Sequence, residues 1–263
     1  MLDLATVDYE HFKRNIHVKT GLNLNAYKQG QMERRLRSFM ERVGAQSFGQ
    51  YYRMLEANET MMHEFLDRVT INVSEMFRNP DQFKVVESKV VPDLLNRSTA
   101  LNVWSAGCSY GQEAYSLAIL LEEKAPRKGH KVLATDIDER ARAAARKGQF
   151  TSFDMKNVTE ERKRRWFEYR DNVFTADKRL NEMIEIRNLN LLEDRFPSGF
   201  DLIACRNVVI YFTDEAKNQL YQRFFDALKP GGYLFVGGTE RINDFDAIGY
   251  KNTFSFVYQK PQK

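Results

Sequence analysis

The sequence predicts an α/β fold built on a parallel sheet, with a small all-helical N-terminal domain and a small β insert. From about residue 99 onward, β-rich runs alternate with helical stretches, which implies crossover connections and a parallel sheet covered on both faces. Before that point the chain contains only helical patterns. A basic stretch and a hairpin-like segment interrupt the alternation later on. We therefore expect a helical domain at 1–72, a linker and helix at 73–98, and a sheet domain at 99–263 with an insert at about 150–187.

The composition is that of a globular protein, with 43% hydrophobic and 29% charged residues among 263. No apolar run approaches the roughly 18 to 20 residues that a membrane-spanning helix needs. The two cysteines, Cys108 and Cys205, are too few for a disulfide framework and are expected to be buried structural thiols. These features predict a protein of the reducing cytoplasm. The net charge of +4 permits an acidic partner but does not single out nucleic acid.

The N-terminal region reads as a series of short helices. The first has Asp8 or Thr6 as a candidate cap and Gly21 as its end. The second is amphipathic, because its apolar residues fall on one arc of a helical wheel: Met32, Leu36, Phe39, Met40 and Val43. Its arginines fall on the other side: Arg34, Arg35, Arg37 and Arg42. Such a face is either an ordinary solvated surface or a docking site for an acidic partner.

The sheet domain begins with the run LNVWSAG, followed by KVLATDID, IEIRNLNL, DLIACRNVVIYF, YLFVGGTE and TFSFVYQK. The clearest helix is TDEAKNQLYQRFFDALKPGG, which Thr213 can cap. Asp214 and Glu215 suit its positive first turn, and the sequence Lys-Pro-Gly-Gly at 229–232 is expected to end it.

The loop after the first strand contains the glycines Gly107 and Gly111 but lacks the third glycine of a dinucleotide-binding signature. Glu113 follows directly, and a carboxylate there would repel a pyrophosphate. The loop therefore favours a positively charged ligand without phosphate, and S-adenosylmethionine (SAM) fits because it carries a sulfonium and an ammonium group.

Asp136 ends the second predicted strand, about 25 residues beyond the loop. An acidic side chain near this spacing accepts hydrogen bonds from ribose hydroxyls. The alternative is that Asp136 caps the next helix, but Asp138 is the better candidate for that cap. The sequence thus favours a ribose-binding role for Asp136.

Arg206 and Asn207 directly follow the apolar run DLIAC. Ligands of open α/β sheets bind beyond the carboxyl ends of the strands, so both residues point to the site. The chain lacks at this position the Asn/Asp-Pro-Pro-aromatic motif that many amino-group methyltransferases carry. Methylation of a base amino group is therefore disfavoured.

Taken together, these motifs make the chain resemble the CheR family, the protein-glutamate O-methyltransferases that act on bacterial chemotaxis receptors. The resemblance extends over nearly the whole chain, and TINVSEMFRN and CRNVVIYF are its most specific segments. It implies the class I S-adenosylmethionine methyltransferase fold and methylation of receptor glutamates in sensory adaptation. It further implies a monomeric cytoplasmic protein, recruited to membrane receptor arrays, that acts on acidic receptor helices without metal, nucleic acid or membrane insertion.

The resemblance also implies which residues form the site. Those expected to bind SAM are Asn72, Ser74, Arg78, Gly107, Glu113, Asp136, Asn190, Leu191, Arg206 and Asn207. Arg34, Arg35, Arg37 and Arg42 are expected to dock the receptor. The family commonly has Thr-Gly-Glu-Glu-Pro-Tyr where this chain has Tyr-Gly-Gln-Glu-Ala-Tyr at 110–115, which keeps Glu113 but bears on SAM affinity.

The implied reaction requires no general base, because a glutamate carboxylate with a pKa near 4.3 is already ionised at neutral pH. This agrees with the positions of the histidines outside the motifs: His11, His17, His63 and His130. Arg78 and Tyr211 are the candidates for orienting the substrate carboxylate. Some family members bind a receptor-tethering peptide through a glycine-containing hairpin in the insert. FEYRDNVFTADKRLNE contains no glycine, so we expect no need for that tether.

Two alternatives remain open from the sequence. One is a methyltransferase that acts on RNA or on a small carboxylic acid, although no stacking platform is evident. The other is a non-catalytic scaffold that binds SAM and an acidic helix. A dehydrogenase is a more distant alternative, because Glu113 opposes a pyrophosphate.

Overall fold

The computed structural model describes residues 4–70 and 74–262. The chain forms two compact units. The first comprises Met1–Asn72 and Tyr211–Asn218, and the second comprises Val73–Ile210 and Gln219–Lys263. The first unit thus includes a short segment that the sequence analysis assigned to the sheet domain.

The continuous part of the first unit is helical, as its apolar periodicity predicts. Its helices are α1 (Leu4–Thr20), α2 (Gln29–Arg42), α3 (Phe48–Ala57) and α4 (Glu59–Thr70), with a 3-10 turn at Leu24–Ala26. Aromatic rings fill the core: Phe12 stacks on Tyr51 with ring centroids 5.7 Å apart and meets Phe65 edge-on at 6.0 Å. Gly21, with φ of 74°, follows the end of α1, as predicted.

The prediction that Asp8 or Thr6 caps the first helix is wrong, because α1 already begins at Leu4. Asp8 instead caps α3, since its carboxylate accepts hydrogen bonds from the backbone N–H groups of Phe48 at 2.6 Å and Gly49 at 2.9 Å. The capping chemistry is that of a helix N-terminus, but the helix belongs to a distant part of the sequence. A pattern confined to neighbouring residues could not reveal this contact.

The second unit contains a seven-stranded sheet in the order β6-β2-β1-β7-β8-β10-β9. The strands β1 (Asn102–Ala106), β2 (Lys131–Asp136), β6 (Ile184–Asn188), β7 (Phe200–Cys205) and β8 (Leu228–Val236) form its parallel part. The strands β9 (Lys251–Phe254) and β10 (Val257–Gln259) are antiparallel. Every residue of the central strand β7 is buried, as expected for a sheet covered on both faces. The predicted fold class is confirmed.

The helices of this unit are α5 (Pro80–Val85), which continues through a π-helical turn at Val86–Val90 into α6 (Val91–Leu95), α7 (Gln112–Lys124), α8 (Glu139–Lys147) and α12 (Phe245–Ile248). Helix α11 (Asp214–Ala227) is divided, because its residues up to Asn218 belong to the first unit and the rest to the second. The Oγ1 of Thr213 accepts a hydrogen bond from the N–H of Ala216 at 3.2 Å, so the predicted cap of α11 is confirmed. The residues 229–232 lie inside strand β8, because the strand begins directly after Ala227.

The insert contains a three-stranded sheet in the order β3-β5-β4 and two short helices. Its elements are β3 (Gln149–Phe150), α9 (Glu160–Trp166), β4 (Phe167–Arg170), β5 (Val173–Ala176) and α10 (Lys178–Met183). Asp171 and Asn172 turn the β4–β5 hairpin with φ of 50° and 62°, the signs that a type I′ turn requires. The insert was expected to end at about 187, but Ile184 already pairs with Val132 of the main sheet.

Cys108 and Cys205 are free and buried, and burial raises the pKa of both thiols well above the usual value. This is the environment of structural rather than reactive thiols. Within the described ranges, no helix is both long and apolar enough to cross a membrane.

Candidate functional site

The loop after β1 requires glycine at Gly107. This residue has φ of 81°, and its N–H donates to the carbonyl of Thr135 on the neighbouring strand at 2.8 Å. A Cβ atom added at Gly107 would lie only 2.5 Å from a methyl group of Val208. The tight packing of the loop, together with the left-handed backbone, excludes larger residues.

Asp136 lies at the end of β2, beside this loop. Its carboxylate accepts hydrogen bonds from the backbone N–H groups of Ser109 at 2.8 Å and Asp138 at 3.0 Å. Burial raises the pKa of Asp136, although both N–H donors act in the opposite direction. Each carboxylate oxygen keeps acceptor capacity for a ligand hydroxyl.

Asp138 caps α8 by accepting hydrogen bonds from the N–H groups of Arg140 at 2.9 Å and Ala141 at 3.3 Å. The prediction that Asp138, rather than Asp136, caps this helix is therefore confirmed. Asp136 does not cap the helix, and its carboxylate instead accepts the N–H groups of Ser109 and Asp138.

Glu113 lies in the first turn of α7 and is 9% exposed. The Ser105 hydroxyl donates to its Oε1 at 2.7 Å, and the Nη1 of Arg206 lies 3.6 Å from its Oε2. Burial raises the pKa of Glu113, while Arg206 acts to lower it. The buried Glu113 carboxylate has a cation nearby, Arg206, at 3.6 Å. Such a carboxylate suits a ligand that brings further positive charge.

Arg206 follows β7 and joins several parts of the site. Its Nη2 donates to the carbonyl of Arg78 at 2.7 Å, to Oδ1 of Asn79 at 3.0 Å and to Oε1 of Gln82 at 3.1 Å. Its guanidinium carbon lies 4.6 Å from the ring centroid of Phe235. Burial lowers the pKa of Arg206, and Glu113 acts to raise it. The Nη2 group thus holds protein groups in place, whereas the buried Nε has no hydrogen-bond partner among the residues that the structure describes.

Asn207 has a left-handed backbone, with φ of 61°, and its N–H donates to Oε2 of Glu240 at 2.6 Å. Its buried Oδ1 has no hydrogen-bond partner among the residues that the structure describes. A buried carbonyl oxygen without a partner is costly unless a ligand supplies a donor. A donor group on a ligand would satisfy this oxygen.

Glu240 is a site residue that sequence reasoning missed. It is 3% exposed, and its carboxylate also accepts the N–H groups of Val209 at 2.9 Å and Gly237 at 2.8 Å. Burial raises its pKa, and the backbone donors act against that shift. It fixes the loop that carries Asn207. Its signal was present in the sequence, because an acidic residue comes three residues after the buried run YLFVG.

Asn190 and Leu191 follow β6, the strand beside β2. The Oδ1 of Asn190 accepts from the N–H of Leu192 at 3.0 Å, and its own N–H donates to Asp194 at 2.7 Å. Leu191 is 8% exposed. Hydrogen bonds within the turn therefore fix its conformation. The turn lies at the carboxyl ends of the strands, where ligands of such sheets bind.

The remaining predicted residues are distributed between the two units. Asn72 lies outside the described residues, whereas Ser74 and Arg78 belong to the second unit. Tyr211 belongs to the first unit, where its carbonyl accepts the N–H of Lys28 at 2.9 Å.

The arginines of α2 divide into two groups. Arg34, Arg35 and Arg42 line a shallow depression of about 550 Å³ together with Gln31, Ser38 and Phe39. Arg37 instead pairs with Glu33 at 2.7 Å and lies over the ring of Phe48. The depression therefore has three arginines rather than four.

The hydrogen-bond acceptors at the carboxyl ends of the strands fit SAM. Asp136 and Glu113 supply carboxylates for hydroxyl and ammonium donors, and Asn207 supplies the buried oxygen without a partner in the described part of the chain. The Oγ of Ser109 is likewise buried without a partner among the described residues. A ligand with hydroxyls, amino groups and positive charge would satisfy these atoms.

Comparisons with known proteins match both units. The model described as "CheR methyltransferase, SAM binding domain" matches residues 72–260, and "CheR methyltransferase, all-alpha domain" matches residues 7–70. The chain is 39% identical over 254 residues to a chemotaxis protein methyltransferase of Listeria innocua, covering 96% of this chain and 97% of that protein. It is 33% identical to chemotaxis protein methyltransferase 1 of Pseudomonas aeruginosa, with coverages of 92% and 93%.

Proposed function

The chain belongs to the CheR methyltransferase family, and we propose that it methylates glutamate side chains in the cytoplasmic region of chemotaxis receptors, forming glutamyl methyl esters for sensory adaptation. The observation that carries the proposal is the match of both family models to one chain. The SAM binding domain would supply the methyl donor, and the all-alpha domain carries a basic surface suited to an acidic partner. The protein would act as a monomer in the cytoplasm, recruited to receptor arrays.

The second unit would hold the cofactor at the carboxyl ends of β1, β2, β6 and β7. Asp136 would accept hydrogen bonds from the ribose hydroxyls, and Glu113 would lie near the positively charged part of the ligand. Asn190 and Leu191 would contact the adenine. Asn207 would use its Oδ1 to accept a ligand N–H or O–H group. The support for these roles is the burial and the hydrogen bonding of each residue.

Bound SAM supplies a methyl group activated by its positively charged sulfur. The substrate carboxylate is already ionised at neutral pH, so the protein needs to align it rather than to deprotonate it. Arg78 would direct one or both oxygens of the carboxylate, and the Tyr211 hydroxyl would donate a single hydrogen bond. Charge is neutralised as the methyl group moves, so exclusion of water by the buried loops favours the reaction.

The depression on α2 would receive the acidic receptor helix. Arg34 and Arg42 line it, and Phe39 provides an apolar floor between charged residues. The guanidinium of Arg35 lies 5.6 Å from the Phe39 ring centroid and donates to the carbonyl of Arg68, so it is held in place. Charge complementarity of this kind speeds association and fixes the register of the partner.

We expect an Arg34→Ala/Arg42→Ala variant to bind receptor about fivefold more weakly at low salt, because two surface charges that each contribute about 0.5 kcal/mol together contribute about 1 kcal/mol. Arg37→Ala is the matched control, since Arg37 pairs with Glu33. Binding to receptor-containing membranes, measured across a salt series, checks this. Equal losses in both variants, or binding that does not weaken with salt, would count against docking at the depression.

The insert is expected to work without a receptor tether. Its hairpin turns through Asp171 and Asn172 rather than through glycine. Calorimetric titration with a pentapeptide from a receptor C-terminus should therefore show no binding at micromolar concentrations, and receptors lacking that peptide should be methylated as fast as intact ones. Tight binding of the peptide would overturn this expectation.

Transfer of labelled methyl from SAM to receptor-containing membranes tests the proposed function. We expect label on the receptor that mild alkali releases, because methyl esters are base-labile. Label on RNA, or SAM binding without any transfer to the receptor, would refute receptor methylation.

A further inference from the structure

The segment Ser74–Arg78 contains an unfavourable backbone conformation. Phe77 has φ of 50° and Asn79 has φ of 58°, so Arg78 stands between two left-handed residues. This conformation is costly for a bulky residue such as Phe77 and persists only where surrounding contacts enforce it. The contacts that maintain the left-handed backbone at Phe77 therefore determine the position of Arg78, which follows it directly.

One of these contacts comes from Asp154, in the turn that opens the insert. The main-chain carbonyl of Asp154 accepts the N–H of Met76 at 3.0 Å. Its side-chain Oδ1 accepts from the Nε2 of Gln112 at 2.9 Å. A single residue thus joins the segment Ser74–Arg78 to the first turn of α7, one residue before Glu113.

The side chain of Asp154 also fixes its own turn. Its Oδ2 accepts from the N–H and the hydroxyl of Thr151, each at 2.7 Å, and its N–H faces the Thr151 hydroxyl at 3.4 Å. This reciprocal arrangement has the pattern of a capping box. The carboxylate therefore orients the carbonyl that receives Met76.

Neighbouring contacts reinforce the same connection. Lys156 pairs with Glu75 at 2.6 Å, and Asn157 donates to Glu75 at 3.2 Å. The guanidinium of Arg162 lies 4.6 Å from the Phe77 ring centroid. From the other side, the N–H of Phe77 donates to the hydroxyl of Ser116 on α7 at 2.9 Å. The segment before Arg78 is thus held between the insert and α7.

We propose that Asp154 is a positioning residue for methyl transfer: its bond to Gln112 and its carbonyl contact with Met76 hold the segment that presents Arg78 to the substrate carboxylate. This inference rests on the proposed function. It also explains the glutamine at 112, because the glutamate common in the family could not donate to Asp154. The residues at 112 and 154 form a matched donor–acceptor pair.

A charge-swap cycle tests the pair. Gln112→Glu sets two carboxylates against each other, and we expect about a tenfold lower kcat per binding site. The double variant Q112E/D154N restores a donor, because the amide introduced at position 154 can donate to the carboxylate introduced at position 112 while its oxygen accepts from Thr151. We expect it to recover kcat to within about twofold of the original protein. Ser152→Ala, on the exposed side of the same turn, is the matched control and should leave kcat unchanged.

Two readouts separate positioning from simple destabilisation. The first readout is kcat per binding site, in which turnover is divided by the number of sites that bind S-adenosylhomocysteine. Unfolded protein does not bind this ligand, so a loss of folded protein does not lower this value. Amide hydrogen exchange at Met76 and Phe77 reports, without any receptor, how firmly Asp154 holds the segment Ser74–Arg78. Exchange should become faster in Q112E and return to the original rate in the double variant.

Unchanged kcat per site in Q112E, or failure of the double variant to recover, would overturn the proposal. If the unaltered protein transfers no methyl, the proposed function fails, while unchanged exchange in Q112E would by itself refute the connection.

Discussion

Replacing Asp136 with alanine is expected to weaken binding of S-adenosylhomocysteine by about 100-fold. The expected loss corresponds to the two charge-assisted hydrogen bonds that we propose between Asp136 and the ribose, each contributing about 1.5 kcal/mol. The Asp136 carboxylate also accepts the N–H of Ser109 at 2.8 Å, so its removal loosens the loop that surrounds the ligand. Isothermal titration calorimetry on the folded variant measures the effect.

Asp201→Ala provides the matched control. Asp201 is also buried, but it lies at the start of β7, where it pairs with Lys229 at 2.7 Å and accepts the N–H of Asn102 at 2.7 Å. Its replacement should lower Tm and leave the affinity for S-adenosylhomocysteine within about twofold, because ligands bind at the other end of the strands. An Asp136 variant with unchanged affinity would refute the ribose-binding role.

Arg78→Ala is expected to lower kcat about 100-fold, because a charge-assisted contact with the reacting carboxylate contributes about 3 kcal/mol when it acts in the transition state. Tyr211→Phe removes one neutral hydrogen bond and should lower kcat about fivefold. Single-turnover methylation of receptor membranes, at saturating SAM, measures both effects. Arg78→Lys keeps the charge without the planar guanidinium and should fall between Arg78→Ala and the unaltered enzyme.

Affinity for SAM distinguishes the two roles proposed for Arg78. A loss confined to kcat supports orientation of the substrate, whereas a loss confined to cofactor affinity supports a binding role alone. If Arg78→Ala and Tyr211→Phe both leave turnover unchanged, the assignment of these residues to the reaction is wrong.

The sequence was sufficient to predict the parallel sheet and the carboxyl ends of β2 and β7, but not the boundary between the insert and β6 or the start of β8. Buried apolar runs followed directly by polar residues marked Asp136 and Arg206 at one edge of the sheet. Parallel strands bring such positions together regardless of their separation along the chain. For this reason, local patterns predicted a site formed from distant segments.

Contacts between a side chain and a backbone group far away in the sequence could not be predicted in the same way. Asp8 caps a helix that begins at Phe48, and Glu240 fixes a loop near Asn207. Each contact depends on how separate elements pack, and no periodicity or spacing in the sequence specifies its partner. Nor did the sequence indicate that 211–218 belong to the first unit, because this segment follows β7 and residues 206–210, which belong to the second.

The most direct test of the central claim is mass spectrometry of receptor peptides after incubation with this protein and SAM carrying a trideuterated methyl group. We expect trideuteromethyl groups on glutamate side chains that are lost on mild alkaline treatment. At a SAM concentration too low to saturate the Asp136→Ala variant, we expect far less label when that variant replaces the enzyme. Label on any other residue type, or receptor peptides without label under conditions where S-adenosylhomocysteine binds, would contradict the central claim.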